Sequence, residues 1–235
     1  MQEAAIVFKG VSKRFHNKVV LANVNLSVQP GTIVGLVGRS GSGKTTLFRL
    51  LLGIYSATKG KILINGQDTK KSKSLIGFAS QDNSFYPRLT VKENLSYFGR
   101  SYNLSKSEID SRIKRLLSLM ELSGNESIQA RRLSGGMQRR LDLAIALIHD
   151  PEVLILDEPT TGLDVILNES IWELILRIHQ SGKTIIVSTH NLDEVAHYCS
   201  NVVFLSKGKV IEERSIRKLS QQSLRNLFVR YCYGK

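Results

Sequence analysis

Two kinds of hydrophobic pattern alternate along the chain. Short apolar runs bounded by turn residues predict strands at 4–8 and 18–28. After Pro30-Gly31, TIVGLV (32–37) predicts a strand buried on both faces. KTTLFRLLLG (44–53) reads as a helix closed by Gly53, and KILING and LIGFAS (75–80) as further strands. From about Pro87 to about His149 the period changes. Ile109, Ile113, Leu116, Leu117 and Met120 recur at helical spacing, which predicts amphipathic helices with no strand between them. Strands return at VLIL (153–156), TIIVS (184–188) and VVFLS (202–206), alternating with helical stretches at 165–180 and 191–199. Strand–helix alternation predicts a parallel sheet covered on both faces. The whole chain, 1–235, is expected to be one domain, with a core from 1–86 and 150–235 and a helical insertion at 87–149.

Composition narrows the picture. The 235 residues suffice for one large α/β domain, and 42% apolar residues argue against disorder. Cys199 and Cys232 offer neither a disulfide framework nor metal-ligand spacing, so reduced thiols in a cytosolic compartment are expected. MQEAAIVFKG lacks the basic start and long apolar core of a signal peptide. No run approaches the ~18 apolar residues of a spanning helix. If this protein moves something across a membrane, another chain must supply the pore. The net charge is +13, and Ser206 to Lys235 holds eight Lys/Arg against Glu212 and Glu213. Such an excess attracts polyanions, whether nucleotide, nucleic acid or an anionic lipid surface, and does not choose among them.

Three motifs carry chemistry. Gly38-Arg39-Ser40-Gly41-Ser42-Gly43-Lys44-Thr45 fits G-x-x-x-x-G-K-S/T, after a buried strand and at the opening of a helix. Glycines let successive N–H groups turn inward around phosphates, and the helix start adds positive potential. Lys44 is expected to reach the β- and γ-phosphates of ATP, and the Thr45 hydroxyl to ligate Mg²⁺. The run Val153-Leu154-Ile155-Leu156-Asp157-Glu158 delivers two carboxylates at a strand's C-terminal end, where ligands of open α/β sheets bind. Asp157 is placed to hold Mg²⁺ through its water shell and Glu158 to polarise the attacking water. Leu133-Ser134-Gly135-Gly136-Met137 opens a further helix, with Ser134 as N-cap and two glycines exposing N–H groups. One ATP does not need two such anion sites on one chain. Two chains packed head to tail would share them, which predicts a dimer.

Together these motifs resemble the ABC-family nucleotide-binding domain over nearly the whole chain. GRSGSGKTT, from Gly38 to Thr46, resembles the Walker A loop, VLILDEPT the Walker B strand, and LSGGMQRR the family signature. Gln81 sits where the family's Q-loop glutamine sits. Thr161-Gly162-Leu163-Asp164 resembles the D-loop, His190 the switch histidine, and Phe15 the aromatic that stacks on adenine. The resemblance implies an α/β fold: a P-loop NTPase core with a parallel sheet, an N-terminal antiparallel β subdomain and an inserted α-helical subdomain. It implies that Gln81 senses Mg²⁺ and the attacking water and couples to the partner, and that His190 contacts the γ-phosphate. Ser134 and Gly136, flanking Gly135, would bind the γ-phosphate held by the opposite protomer, with Asp164 at the dimer seam. Met137, Ser80 and Val165 depart from commoner residues of the family without removing a catalytic group.

The resemblance implies an ATPase subunit, in a homodimer or heterodimer, that drives transport through a separate transmembrane permease from the inner face of the cell membrane. YPRLTVKENLSYFGRSYNLSKSEID resembles the branch that pairs with drug-, lipid- and polysaccharide-exporting permeases, so export is expected. The rival is a soluble ABC ATPase serving nucleic acid, the ribosome or cofactor assembly. The chain has no coiled-coil insertion and no tandem second ATPase domain, so nucleic acid is not the expected partner. A P-loop kinase is a second rival, and the LSGGM signature argues against it.

Overall fold

A computed structural model describes residues 3–69 and 71–234, apart from the Lys218 side chain. It contains two sheets. β1 (Ile6–Phe15), β2 (Lys18–Val28), β4 (Lys59–Ile64) and β5 (Gln67–Asp68) form an antiparallel sheet in the order β2-β1-β4-β5. β3 (Ile33–Val37), β6 (Ile76–Ala79), β7 (Val153–Asp157), β8 (Thr184–Ser188), β9 (Asn201–Ser206) and β10 (Lys209–Ser215) form the second sheet, in the order β10-β9-β3-β8-β7-β6. Its strands run parallel except β10, which turns back antiparallel on β9 at the edge.

The central strands β3, β7 and β8 are apolar except at the ends of β7 and β8 because both faces are covered. Successive residues of β7 point into two different cores: Val153 and Ile155 into one, Leu154 and Leu156 into the other. The first core packs α1 (Lys44–Leu51) between the two sheets through Leu47, Phe48, Leu50 and Leu51. The second lies under α2 (Val91–Ser101), α3 (Lys106–Leu119), α4 (Gly135–Leu147), α5 (Val165–Gln180) and α6 (Leu192–Tyr198). Trp172 of α5 is fully buried there and stacks on Tyr198 of α6 at 4.5 Å.

Between β6 and β7 the chain forms only helices and short turns, apart from one isolated bridge between Thr90 and Gln129. Capping boxes start both leading helices: Thr90 with Glu93 on α2, and Ser105 with Glu108 on α3. α4 runs from this helical region back beneath β6, with Leu143 and Ala144 in the shared core. That path brings the helix bearing Ser134 up to the strand ends bearing Gln81 and Asp157.

The strand at 4–8 is longer than the sequence predicts and continues to Phe15. Its later half alternates with Lys9, Lys13 and Arg14, which hides the strand from an apolar count. After Ser206 the chain forms β10 and a last helix, α7 (Gln221–Tyr233), which packs on β9 and α6. Among the described residues no helix is long and apolar enough to cross a membrane.

Candidate nucleotide site

The loop after β3 is shaped by what glycine permits. A Cβ on Gly38 would lie 2.3 Å from the Leu205 carbonyl oxygen and 2.6 Å from Ser42 Oγ. Gly43 has φ +114°, open only to glycine without strain, and it caps α1 with no side-chain bond to the helix N–H groups. Those donors therefore stay free for a ligand. The loop is braced from outside by the β9–β10 turn, where the Gly208 N–H donates to the Ser42 carbonyl at 3.0 Å and the Gly208 carbonyl accepts from the Ala22 N–H at 2.8 Å.

Lys44 is 7% exposed, and its Nζ donates to the Gly38 carbonyl at 2.7 Å. Burial holds its pKa below the usual lysine value, while Glu158 and Asp157 pull the other way. The buried Ser42 Oγ has no hydrogen-bond partner. A buried ammonium and uncapped helix-start N–H groups together fit an anionic ligand.

A cavity of about 550 Å³ opens here. Ser40, Gly41, Gly43, Lys44, Thr45 and Thr46 form one wall, Gln81, Asp157 and Glu158 another, and Lys18, Val19, Val20, Lys207 and Gly208 the third. Five chain segments that are distant in sequence thus meet on one cavity; the glycine loop, Gln81 and the Asp157-Glu158 strand end are among them.

The end of β7 is organised by β8. Ser188 Oγ donates to Asp157 Oδ1 at 2.5 Å and accepts from the Glu158 N–H at 3.0 Å. Glu158 has φ +51°, a left-handed backbone that turns its carboxylate away from the strand direction. His190 Nε2 lies 2.5 Å from Glu158 Oε1, and Thr161 Oγ1 donates to Glu158 Oε2 at 3.3 Å. His190 is thus held against Glu158 without itself lining the cavity.

Other predicted residues lie elsewhere. Phe15 is half-buried, edge-on to Tyr55 at 5.1 Å with Lys13 Nζ 4.7 Å from its ring. Its cross-strand neighbour Lys18 lines the cavity, and Phe15 does not. The Arg39 guanidinium lies 4.6 Å from the Tyr233 ring of α7 and outside the cavity wall. Ser134, Gly135 and Gly136 start α4 outside the cavity, and Asp164 caps α5 by accepting from the Leu167 N–H at 2.9 Å.

The sequence reading overlooks several side chains that shape the site. Lys18, Lys207 and Gly208 belong to hairpins that reach over the loop; for the second hairpin the only available signal was the Lys207-Gly208 turn after apolar VVFLS. Buried Glu194 accepts from Thr189 Oγ1 at 2.7 Å, Thr160 Oγ1 at 2.9 Å and Asn168 Nδ2 at 2.8 Å. It ties the segment before His190 to the segment after Glu158. Only its position four residues beyond His190 marked it.

The oxygen donors here, the Thr45 hydroxyl, the Asp157 carboxylate and the Gln81 amide oxygen, suit Mg²⁺, which takes few protein ligands and completes its shell with water and phosphate. Among the described residues no cluster of three or more His, Cys, Asp or Glu offers an all-protein cage.

A glycine loop at a helix start, a buried lysine and two strand-end acids on a parallel sheet define a P-loop nucleoside triphosphatase. The family model described as ABC transporter matches residues 21–161, and the chain belongs to that family. It is 39% identical over 214 residues to the Nod factor export ATP-binding protein I of Cupriavidus metallidurans, covering 89% of this chain and 71% of that protein. The protein of that name from Paraburkholderia xenovorans is 38% identical over 217 residues, 91% of this chain and 71% of its own length. Among solved structures, cbiO1 from Clostridium perfringens, part of the ABC transporter complex cbiONQ, superposes with TM-score 0.87 at 27% identity, covering 97% of this chain and 95% of that one. The dimeric ATP-binding cassette MJ0796, in a post-hydrolysis state bound to ADP and Pi, matches at TM-score 0.79 and 28% identity over 91% of this chain and all of that one. The chain is an ATP-binding subunit of an ABC transporter, an ATPase that uses Mg²⁺.

Proposed function

We propose that this subunit powers export through a separate transmembrane permease, from the inner face of the membrane, and that Glu158 is its catalytic base. The observation that carries the catalytic part is the Glu158 carboxylate, turned off the strand by its left-handed backbone, bonded to His190 and lining one cavity with Lys44. Export is supported by the Nod factor relatives, which are named for export and cover 89% and 91% of this chain.

The triphosphate lies along the Gly38–Thr45 loop, its β- and γ-phosphates paired with Lys44 and the α1 N–H groups. Lys44 releases the Gly38 carbonyl to do so, exchanging a neutral acceptor for an anionic one. Thr45, Asp157 and Gln81 are the residues that would hold Mg²⁺, which would supply charge neutralisation for the triphosphate. Glu158 accepts a hydrogen bond from the attacking water and orients it in line with the γ-phosphate. His190, fixed against Glu158, is placed to donate to the γ-phosphate once nucleotide enters. Phe15, in the β1–β2 hairpin beside Lys18, supplies an aromatic face for adenine after rotating off Tyr55.

Ser134, Gly135 and Gly136 complete the partner's site. In a head-to-tail dimer, whether of identical or related subunits, each signature helix start faces the other protomer's triphosphate, and the nucleotide joins the two.

Glu158→Gln tests the central assignment. Turnover should fall by about 10²–10⁴-fold, with ATP affinity by calorimetry retained and an ATP-bound dimer accumulating on sizing. Wild-type turnover in this variant would remove Glu158 from the mechanism. Affinity capture of the tagged subunit from membranes should recover a multi-spanning permease. Recovery of ribosomes or a nuclease instead would overturn the transport role.

A further inference from the structure

Arg139 and Asp142 are 6% and 1% exposed, three residues apart on α4, and have no part in the chemistry described above. A buried ion pair is costly unless its donors are used. Here the guanidinium spends them on backbone carbonyls. Nε donates to the Pro159 carbonyl at 2.7 Å, Nη1 to the Ser80 carbonyl at 2.7 Å, and Nη2 to the Asp157 carbonyl at 3.4 Å. Asp142 Oδ2 stands 3.9 Å from Nη1, and its Oδ1 accepts from the Ser84 N–H at 2.8 Å.

The identity of those carbonyls matters. Ser80 immediately precedes Gln81. Asp157 and Pro159 bracket Glu158. Arg139 itself sits on the helix that begins at Ser134. One planar fork thus touches the loop of Gln81, both neighbours of Glu158 and the signature helix. Only arginine presents donors in such a fan; a lysine ammonium cannot reach all three acceptors at once. Glu158 has φ +51°, and a non-glycine residue keeps that backbone only where its surroundings over-determine it. Ser188 holds the Glu158 N–H from the β8 side, and Arg139 holds the carbonyls on either side of it.

We propose that Arg139, oriented by Asp142, is a positioning residue for ATP hydrolysis. It fixes the Gln81 loop and the Glu158 backbone to the signature helix, so that movement of α4 shifts both functional side chains together. This rests on the roles given above to Glu158 and Gln81. Asp142 completes the link by holding Ser84, so the loop is clamped at both of its ends.

A merely structural staple would lower stability and ATP binding together. A positioning residue separates them. In the purified chain, Arg139→Gln should leave ATP affinity by calorimetry within about threefold of wild type while kcat falls at least tenfold, the low end of misplacement effects. Arg139→Lys should recover part of the loss. Asp142→Asn should show a smaller loss in the same direction, since Asn still accepts from Ser84. Combined with Gln81→Ala, Arg139→Gln should cost less than the product of the two single effects, because both act through one loop. A folded Arg139→Gln protein with wild-type kcat would overturn the inference. So would a loss confined to KM, or full multiplicativity with Gln81→Ala. If Arg139→Gln does not fold, Asp142→Asn carries the test, and wild-type kcat there overturns the inference. Glu158→Gln is assayed alongside. An inactive Glu158→Gln beside a fully active Arg139→Gln sinks the positioning role alone, whereas an active Glu158→Gln sinks the site assignment on which it rests.

Discussion

The chain carries two glycine-rich helix starts, and they are finished differently. At the start of α1 the cap is Gly43, left-handed and without a side-chain bond to the helix. Lys44 is buried beside it, Ser42 Oγ is unpartnered, and the β9–β10 turn closes over the loop. At the start of α4 the cap is Ser134, exposed, whose own Oγ accepts from the Met137 N–H at 3.4 Å. A Cβ on Gly135 would meet nothing within 4 Å. Both places offer N–H groups and positive helix potential. Only the first is walled by its own chain. The second presents the same device to open space and becomes a binding site when something is brought to it. One anion site built and one half-built on the same chain is the arrangement a head-to-tail dimer would complete.

The largest effects should separate these two halves. Lys44→Ala removes the one buried cation of the closed site. Losing one partner of a buried charge pair costs about 2–5 kcal/mol, so ATP affinity of the single chain should fall by about 30-fold or more. Ser134→Arg leaves that loop intact. Its ATP affinity as a monomer, read by calorimetry, should stay within a few-fold of wild type, while turnover is lost because the partner's phosphates meet a bulky side chain. Mixing the two variants sharpens the contrast. In a mixed dimer both lesions fall in one pocket and the other pocket is intact, so activity should reappear if one pocket can fire alone. Full turnover by Ser134→Arg on its own would show that the open helix start has no part in the reaction.

How far each half was legible follows from what the sequence can encode locally. The closed site was largely readable, because its chemistry sits in contiguous residues: Gly38–Thr45 after an apolar run, and Asp157-Glu158 at the end of another. The parallel direction of β9, β3, β8, β7 and β6 follows from the same alternation of apolar strands and helices, though their order does not. The surroundings were not readable. Lys207 and Gly208 reach the cavity from a hairpin whose strand β10 is mostly charged, so no apolar alternation announced it. Glu194, Ser188 and Arg139 act through partners as far as 34, 31 and 59 residues away, and those contacts are not written in their own neighbourhoods. Phe15 illustrates a different limit. A motif position fixes the residue, but the ring's contact with Tyr55 depends on packing the motif does not contain.

The smallest and most discriminating effect concerns the paired glycines of α4, which have different neighbours. A Cβ on Gly136 would stand 2.9 Å from Leu167 Cδ2 of α5, so this glycine already answers to packing within the chain. Gly136→Ala gains helix propensity of about 0.5–1 kcal/mol and loses a similar amount when Leu167 leaves its rotamer, roughly 0.5–1.5 kcal/mol. Its net change in stability should be close to zero. Gly135 meets nothing in its own chain, so Gly135→Ala should hold or raise stability by up to about 0.5–1 kcal/mol, a thermal shift of at most a few degrees upward. Its turnover should nonetheless fall, about tenfold, because the added methyl occupies the space through which the partner's phosphates approach. Stability and activity moving in opposite directions at Gly135 is the signature of a surface kept bare for a second chain. Thermal unfolding and steady-state ATPase on the same preparation read both quantities. If Gly135→Ala turns over ATP at the wild-type rate at saturating nucleotide, then the gap above the α4 start is open for reasons unrelated to the dimer, and the contrast between the two helix starts loses its functional meaning.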